Sequence, residues 1–108
     1  MANDFKNAQA VGVTSVTTIY TAPAAKTSIL LELDIANTVN NVVEASVEIF
    51  DTSASTDAFL IKNAPVPAGG TLQVVAGQKV ILEATDIVKV TATGAVDVVA
   101  AILEDVNS

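Results

Sequence analysis

Hydrophobic and polar residues alternate along most of this 108-residue chain, and that period of two constrains the fold more than any other feature. Between residues 43 and 49, Val, Ala, Val and Ile fill every second position, with Glu44, Ser46 and Glu48 between them. Residues 96–102 repeat the pattern with Val, Val, Ala and Ile. Because successive side chains of a strand point to opposite faces, the pattern predicts β-strands with one buried face.

Turn-forming residues divide the chain into about eight such segments. Strands at this spacing are typical of β-sandwiches and barrels, and no segment joins helix-capping residues to a period of 3.6. We therefore predict an all-β fold, a single β-sandwich with jelly-roll or other Greek-key topology. The predicted strands are residues 16–20, 29–36, 43–49, 58–63, 71–75, 78–84, 87–93 and 96–103.

The strand predicted over residues 29–36 indicates how the chain passes between sheets. Its polar face carries Glu32 and Asp34. A simple hairpin with the strand over residues 43–49 would place Asp34 opposite Glu44, and like charges directly opposite each other destabilise a sheet. We expect the two strands to lie in different sheets. The residues expected in the core are Ile29, Leu31, Leu33, Ile35, Val43, Ala45, Val47 and Ile49.

The composition excludes several classes of function. Cys, His, Trp and Arg do not occur in the sequence, which removes thiol nucleophiles, Cys or His zinc sites and histidine-based triads. Twelve Asp and Glu against five Lys give a net charge of −7, unsuited to binding the phosphates of a nucleic acid. No apolar run approaches the roughly 20 residues of a membrane-spanning helix. We expect a non-enzymatic protein with no cofactor, metal, membrane, nucleic-acid or small-molecule partner.

The carboxylates are the only side chains of this sequence that are suited to metal binding or acid–base chemistry. Glu32 with Asp34, and Glu44 with Glu48, could form a cation site or an acid–base pair, but strand alternation places charges on a solvated face whatever the function. The loop over residues 51–57 has the oxygen donors of a calcium site without the acidic spacing and glycine of a known calcium loop. Solvated faces and a plain exposed loop are the favoured interpretations.

The first eleven residues are predicted to form an extended arm before a sandwich domain of residues 12–108. Residues 1–10 carry Phe5 as their one large aromatic side chain, which is too little apolar surface to hold the segment against its own domain. We expect Phe5 to enter a pocket on a neighbouring subunit while the backbone pairs along a strand edge. The predicted partner-binding residues are Met1, Ala2, Asn3, Asp4, Phe5 and Lys6.

Three segments resemble small structural proteins of bacteriophages. Residues 17–29, TTIYTAPAAKTSI, are similar to the stretch that leads into the first long core strand of that family. Residues 67–72 and 80–90 are similar to its Ala-Gly-x-x-Leu and Leu-x-x-Gly-Asp-x-Ile segments, although Thr85 stands where the family usually has glycine. The resemblance covers about residues 14–103 and rests on turn and strand chemistry.

This resemblance implies a virion structural protein made in the host cytoplasm. The expected role is that of a capsid decoration or cement protein on the outer face of the shell, bound to the major capsid protein and to its own copies as a homotrimer. The net charge of −7 fits an outer location better than one facing packaged DNA. A tail, neck or fibre subunit is the alternative. A carbohydrate-binding adhesin is weaker, because Tyr20 is the single tyrosine and Trp is absent.

Overall fold

The computed structural model describes residues 3–106, and over that range the chain forms eight β-strands and no helix. No helix that could cross a membrane therefore occurs among these residues. The all-β class and the number of strands predicted from the sequence are confirmed. The strands are β1 (Asp4–Val13), β2 (Thr17–Thr21), β3 (Ser28–Asn37), β4 (Val43–Asp51), β5 (Thr56–Val66), β6 (Thr71–Leu82), β7 (Ile87–Ala92) and β8 (Val96–Glu104).

The strands form two antiparallel sheets of four. Sheet A has the order β1-β8-β3-β6, and sheet B has the order β2-β7-β4-β5. Of the connections between consecutive strands, β4 to β5 stays within one sheet and the others cross between the two. The expectation that β3 and β4 belong to different sheets is confirmed, so Asp34 and Glu44 are not cross-strand neighbours.

One hydrophobic cluster joins the inner faces of the two sheets. It consists mainly of valine, leucine and isoleucine, as the period of two in the sequence predicts. The most deeply buried members, listed here by strand, are Leu30, Leu33 and Ile35 of β3, Val47 of β4, Val66 of β5, Val75 and Leu82 of β6, Val88 and Val90 of β7, and Val96, Val98 and Ile102 of β8.

The inward phase of β3 differs from the prediction in its first half. Leu30 is fully buried, whereas Ile29 and Leu31 are only half-buried. The register of β3 against both neighbours shifts between Leu30 and Glu32. A β-bulge of this kind inserts an extra residue and reverses which side chains face the core. The prediction that Leu33 and Ile35 point inward is confirmed.

A second bulge explains why β6 is one strand rather than the two predicted over residues 71–75 and 78–84. Gly77 has a φ of 114° and Lys79 a φ of 52°, while the register against β3 resumes on either side. Glycine adopts positive φ without steric cost, so the chain makes its irregular turn and stays in the sheet. The matching total of eight strands therefore arises because two predicted strands merge and an unpredicted one, β1, is added.

The segment expected to be an arm lies against its own domain. Asp4–Val13 is an edge strand of sheet A that pairs with β8 from Asp4 opposite Glu104 to Val13 opposite Val96. The backbone of β8 pairs with the segment, Val13 is buried in the core, and Ala8 and Ala10 pack against it. The accessible surface is 5488 Å², against about 5600 Å² expected for a compact monomer of 11 kDa. Among the described residues, this segment is therefore part of the sandwich.

Candidate assembly surface

Four large apolar side chains cross the outer face of sheet A, one from each strand. Phe5 of β1 lies opposite Leu103 of β8, Leu103 opposite Ile29 of β3, and Ile29 opposite Ile81 of β6. Residues directly opposite in an antiparallel pair point to the same face. These four side chains therefore form one row, called here the sheet A row. Phe5 is 76% exposed and Ile81 57% exposed, so much of the row is in contact with water.

The row faces outward because its neighbours along each strand face inward. Leu30, Leu82 and Ile102 are fully buried next to Ile29, Ile81 and Leu103 respectively. Val99 of β8, which is 47% exposed, extends the apolar surface of the same face. Exposed apolar residues that are scattered singly need no explanation, but a contiguous row on one face is typical of a surface that contacts another molecule.

Two carboxylates share the outer face with the row. Asp34 of β3 is half-buried, and its Oδ1 atom has no hydrogen-bond partner among residues 3–106. Its neighbours across the sheet are Gln73 and Val99. The pKa of Asp34 is raised to about 6 by burial first, and then by a hydrogen bond with Glu32 and by the charge of Glu32. Asp34 therefore keeps its proton to a higher pH than an unperturbed aspartate does.

The outer face of sheet B has a different character. Lys89 of β7 lies opposite Glu48 and forms an ion pair of 3.3 Å with Asp57, and its ammonium group lies 5.0 Å from the centre of the Phe50 ring. The ammonium group of Lys62 covers the Phe59 ring in the same way. Exposed carboxylates beside lysines over aromatic rings form a charged, solvated face. The aromatic side chains of this face thus have partners within the chain.

The structure separates the six residues predicted to bind a partner. Met1 and Ala2 lie outside the described residues, and Asn3 is exposed and precedes β1. The backbone of Asp4 pairs with that of Glu104. Phe5 belongs to the sheet A row and is largely exposed.

Lys6, the last of the six, contacts its own domain. Its Nζ atom lies 3.0 Å from Oε1 of Glu104, which is nearly buried. The hydroxyl group of Tyr20 donates a hydrogen bond to Oε2 of the same carboxylate and lies 3.1 Å from the hydroxyl oxygen of Ser28. Burial and then Glu104 raise the pKa of Tyr20 to about 12, while the hydrogen bond from Tyr20, followed by Lys6, lowers the pKa of Glu104. This network attaches β1 to β2 and β8.

A groove of about 530 Å³ opens beside β4, β5 and β6, and three carboxylates meet at its rim. Oxygen atoms of Asp51, Glu83 and Asp86 lie within 4.8 Å of one another. Asp51 Oδ1 accepts hydrogen bonds from Ser53 and from the backbone of Ala54. The two oxygens of Asp86 accept from the backbone N–H groups of Thr52 and Glu83. Asp51 and Asp86 are thus explained as turn-forming groups, and the loop over residues 52–55 is exposed, as predicted.

Sequence reasoning missed the sheet A row and placed Ile29 in the core. One signal was available. Val80, Ile81 and Leu82 are three consecutive apolar residues, and a strand that alternates must turn one or two of them outward. The partners of Ile81 across the sheet depend on register and strand order, which a single sequence does not encode locally.

No known protein family, curated protein or solved structure matches this chain. The resemblance to phage structural proteins therefore remains an inference from the motifs of residues 17–29, 67–72 and 80–90.

Proposed function

We propose that this chain is a non-enzymatic structural subunit of a bacteriophage virion, and specifically a decoration or cement protein on the outer face of the capsid. The observation that carries the proposal is the sheet A row, an apolar surface on an otherwise complete domain. A subunit held permanently against others buries such a surface. The motif resemblance is the reason for assigning the subunit to a virion. The net charge of −7 favours a position away from packaged DNA.

The proposed topology is that of a jelly roll. The orders β1-β8-β3-β6 and β2-β7-β4-β5 are those expected when two Greek keys fold into eight strands. Viral capsid proteins and lectins are among the proteins built on this architecture. Because a fold hosts many functions, the topology supports the proposal without carrying it.

The proposed partners are the major capsid protein and further copies of this chain, for which the resemblance predicts a homotrimer. The mechanical role would be to bridge adjacent capsomers, so that pressure from the packaged DNA does not separate them. Burial of apolar side chains such as Phe5 would supply the attachment, at roughly 1.5–3 kcal/mol for each large side chain that is fully buried.

Quantitative mass spectrometry of purified particles tests this proposal. Particles are collected from cells that produce the chain, and its copy number is compared with that of the major capsid protein. Hundreds of copies per particle would support a shell component, whereas a few to tens would favour the tail, neck or fibre alternative. Absence from particles together with binding to a glycan array would overturn the proposal in favour of an adhesin.

A further inference from the structure

We propose that the outer face of sheet A binds the same face of a second copy of this chain, with the sheet A row at the centre of the contact. The inference concerns copies of the chain in solution and does not depend on the virion role. The contact uses the surface that the proposed function assigns to attachment, with a second copy as its occupant when the chain is free in solution.

The size of the face favours a second sheet as its occupant. Sheet A has strands of 9 to 12 residues. With strands about 4.8 Å apart and a rise of about 3.3 Å per residue, the face measures roughly 19 Å by 30–40 Å. This approaches the roughly 800 Å² that each partner contributes to a standard interface. A helix about 10 Å wide would cover half of the row, whereas a second sheet covers all of it.

The row is self-complementary about a two-fold axis. Consider an axis parallel to the strands and midway between β8 and β3, in the plane between two facing sheets. It brings Phe5 of each copy opposite Ile81 of the other, and Leu103 opposite Ile29. The most exposed side chains of the row are those at its two ends, Phe5 and Ile81. Each therefore gains the most burial from a contact that is isologous, in which the same patch serves both subunits.

The charges on the two outer faces point to sheet A as well. The outer face of sheet B carries the ion pair of Lys89 with Asp57, and Glu48 lies opposite Lys89. These charged groups would lose water on docking. The middle of the sheet A face carries Glu32 and Asp34 as its charged groups, and the same two-fold axis places them against the apolar Ala101 and Val99 of the second copy. Ionised carboxylates in that position oppose docking, and protonation of Asp34 relieves the cost.

The residues around the two carboxylates leave Asp34 as the group expected to control the pH dependence. The residues that face them across the sheet are uncharged: Val99 and Ala101 on β8, Gln73 and Ala76 on β6, and Asn7 and Gln9 of β1 beyond β8. The outer face of sheet A carries two further charged side chains, Asp97 on β8 and Lys79 on β6. Association is therefore expected to strengthen as the pH falls through about 6.

Analytical ultracentrifugation of the full chain tests the inference. The runs cover micromolar concentrations at one pH above and one pH below about 6. We expect reversible dimers, tighter at the lower pH. Phe5→Ser and Ile81→Ser should each weaken association about tenfold or more, since 1.4 kcal/mol corresponds to a factor of ten. Asp34→Asn should remove most of the pH dependence. Phe59→Ser, an exposed aromatic position on sheet B, is the matched control and should associate like the wild type.

Phe5 and Ile81 are largely exposed, so their serine variants should fold, and a thermal melt of each variant verifies this. A wild-type chain that stays monomeric at both pH values would overturn the inference. So would an oligomer, trimer included, that the Phe5 and Ile81 variants weaken no more than Phe59→Ser does.

Discussion

Among single residues, Asp34 is the position whose ionised side chain is expected to destabilise the folded state. Its pKa is raised to about 6 in the folded chain, above about 3.9 for an unperturbed Asp. The folded state thus favours the protonated carboxyl group, and its stabilising contribution is present below about pH 4 and lost as the pH rises through about 6. Asp34→Asn, which cannot ionise, should raise the free energy of unfolding at neutral pH by about 1 kcal/mol, since solvent screens part of the effect at this half-buried position.

Urea denaturation at two pH values measures this effect. The gain from Asp34→Asn should disappear near pH 3, where the wild-type carboxyl group is protonated in both states. Glu44→Gln, an exposed position on β4, is the control and should change stability little at either pH. Equal stability of Asp34→Asn and the wild type at neutral pH would show that Asp34 ionises without cost.

Glu104 is the opposite case, because its pKa is lowered in the folded chain. Its ionised carboxylate stabilises the fold at pH values above the ordinary pKa of a glutamate, and this contribution is lost as the pH falls through the lowered pKa of the folded state. Tyr20→Phe removes a hydrogen bond to a nearly buried carboxylate and should cost about 1–3 kcal/mol at neutral pH. It should also reduce the loss of stability in acid. Thermal melts from neutral to acidic pH measure both effects, with Thr21→Val of the same strand as the control. An unchanged acid limb would contradict the role assigned to Tyr20.

At the scale of elements, the phase of β3 can be tested by truncation. Leu30 is fully buried and Leu31 half-buried, because the bulge reverses the pattern between Leu30 and Glu32. Leu30→Ala should cost about 2–5 kcal/mol, as expected for a core leucine, and Leu31→Ala clearly less. Chemical denaturation of both variants measures the difference. A larger loss for Leu31→Ala would restore the uninterrupted alternation that the sequence indicates.

Strand β1 is the element for which sequence and structure imply opposite results. An arm held by a neighbour would leave the free domain unchanged when residues 2–10 are deleted. A strand paired with β8 would not, because its loss exposes the edge of β8 and removes Lys6 from Glu104. We expect the deletion to lower the free energy of unfolding by at least about 2 kcal/mol, since the buried Glu104 loses a charged partner at about 1–3 kcal/mol and the core loses the cover of Ala8 and Ala10. An unchanged melting temperature would support the arm.

These elements show which parts of the fold a sequence can predict. Alternation in β4 and β8 identified their core faces, since a regular strand with one buried face shows its phase directly. The bulges in β3 and β6 were not predictable, because they depend on register against neighbouring strands. β1 was missed because its residues carry little apolar surface, and the backbone of β8 holds it. The sheet A row is the same kind of feature, since its four members come from four distant parts of the chain.

At the scale of the whole molecule, the two sheets share one core and differ on their outer faces. Sheet B presents an ion pair and further charges to solvent, and sheet A presents an apolar row beside Glu32 and Asp34, of which Asp34 has a raised pKa. This asymmetry gives the domain one face suited to solvent and one suited to another subunit, which is the basis of its proposed role in a virion.

The proposed role requires the outer face of sheet A to contact another subunit in a virus particle. A cryo-electron microscopy map of the intact particle, at a resolution that traces the chain, would show whether it does. We expect density for this domain on the outside of the shell, with Phe5 and Ile81 covered by a neighbouring subunit and Lys89 open to solvent. Particles that lack the domain, or that cover the outer face of sheet B and leave the sheet A row in water, would contradict it.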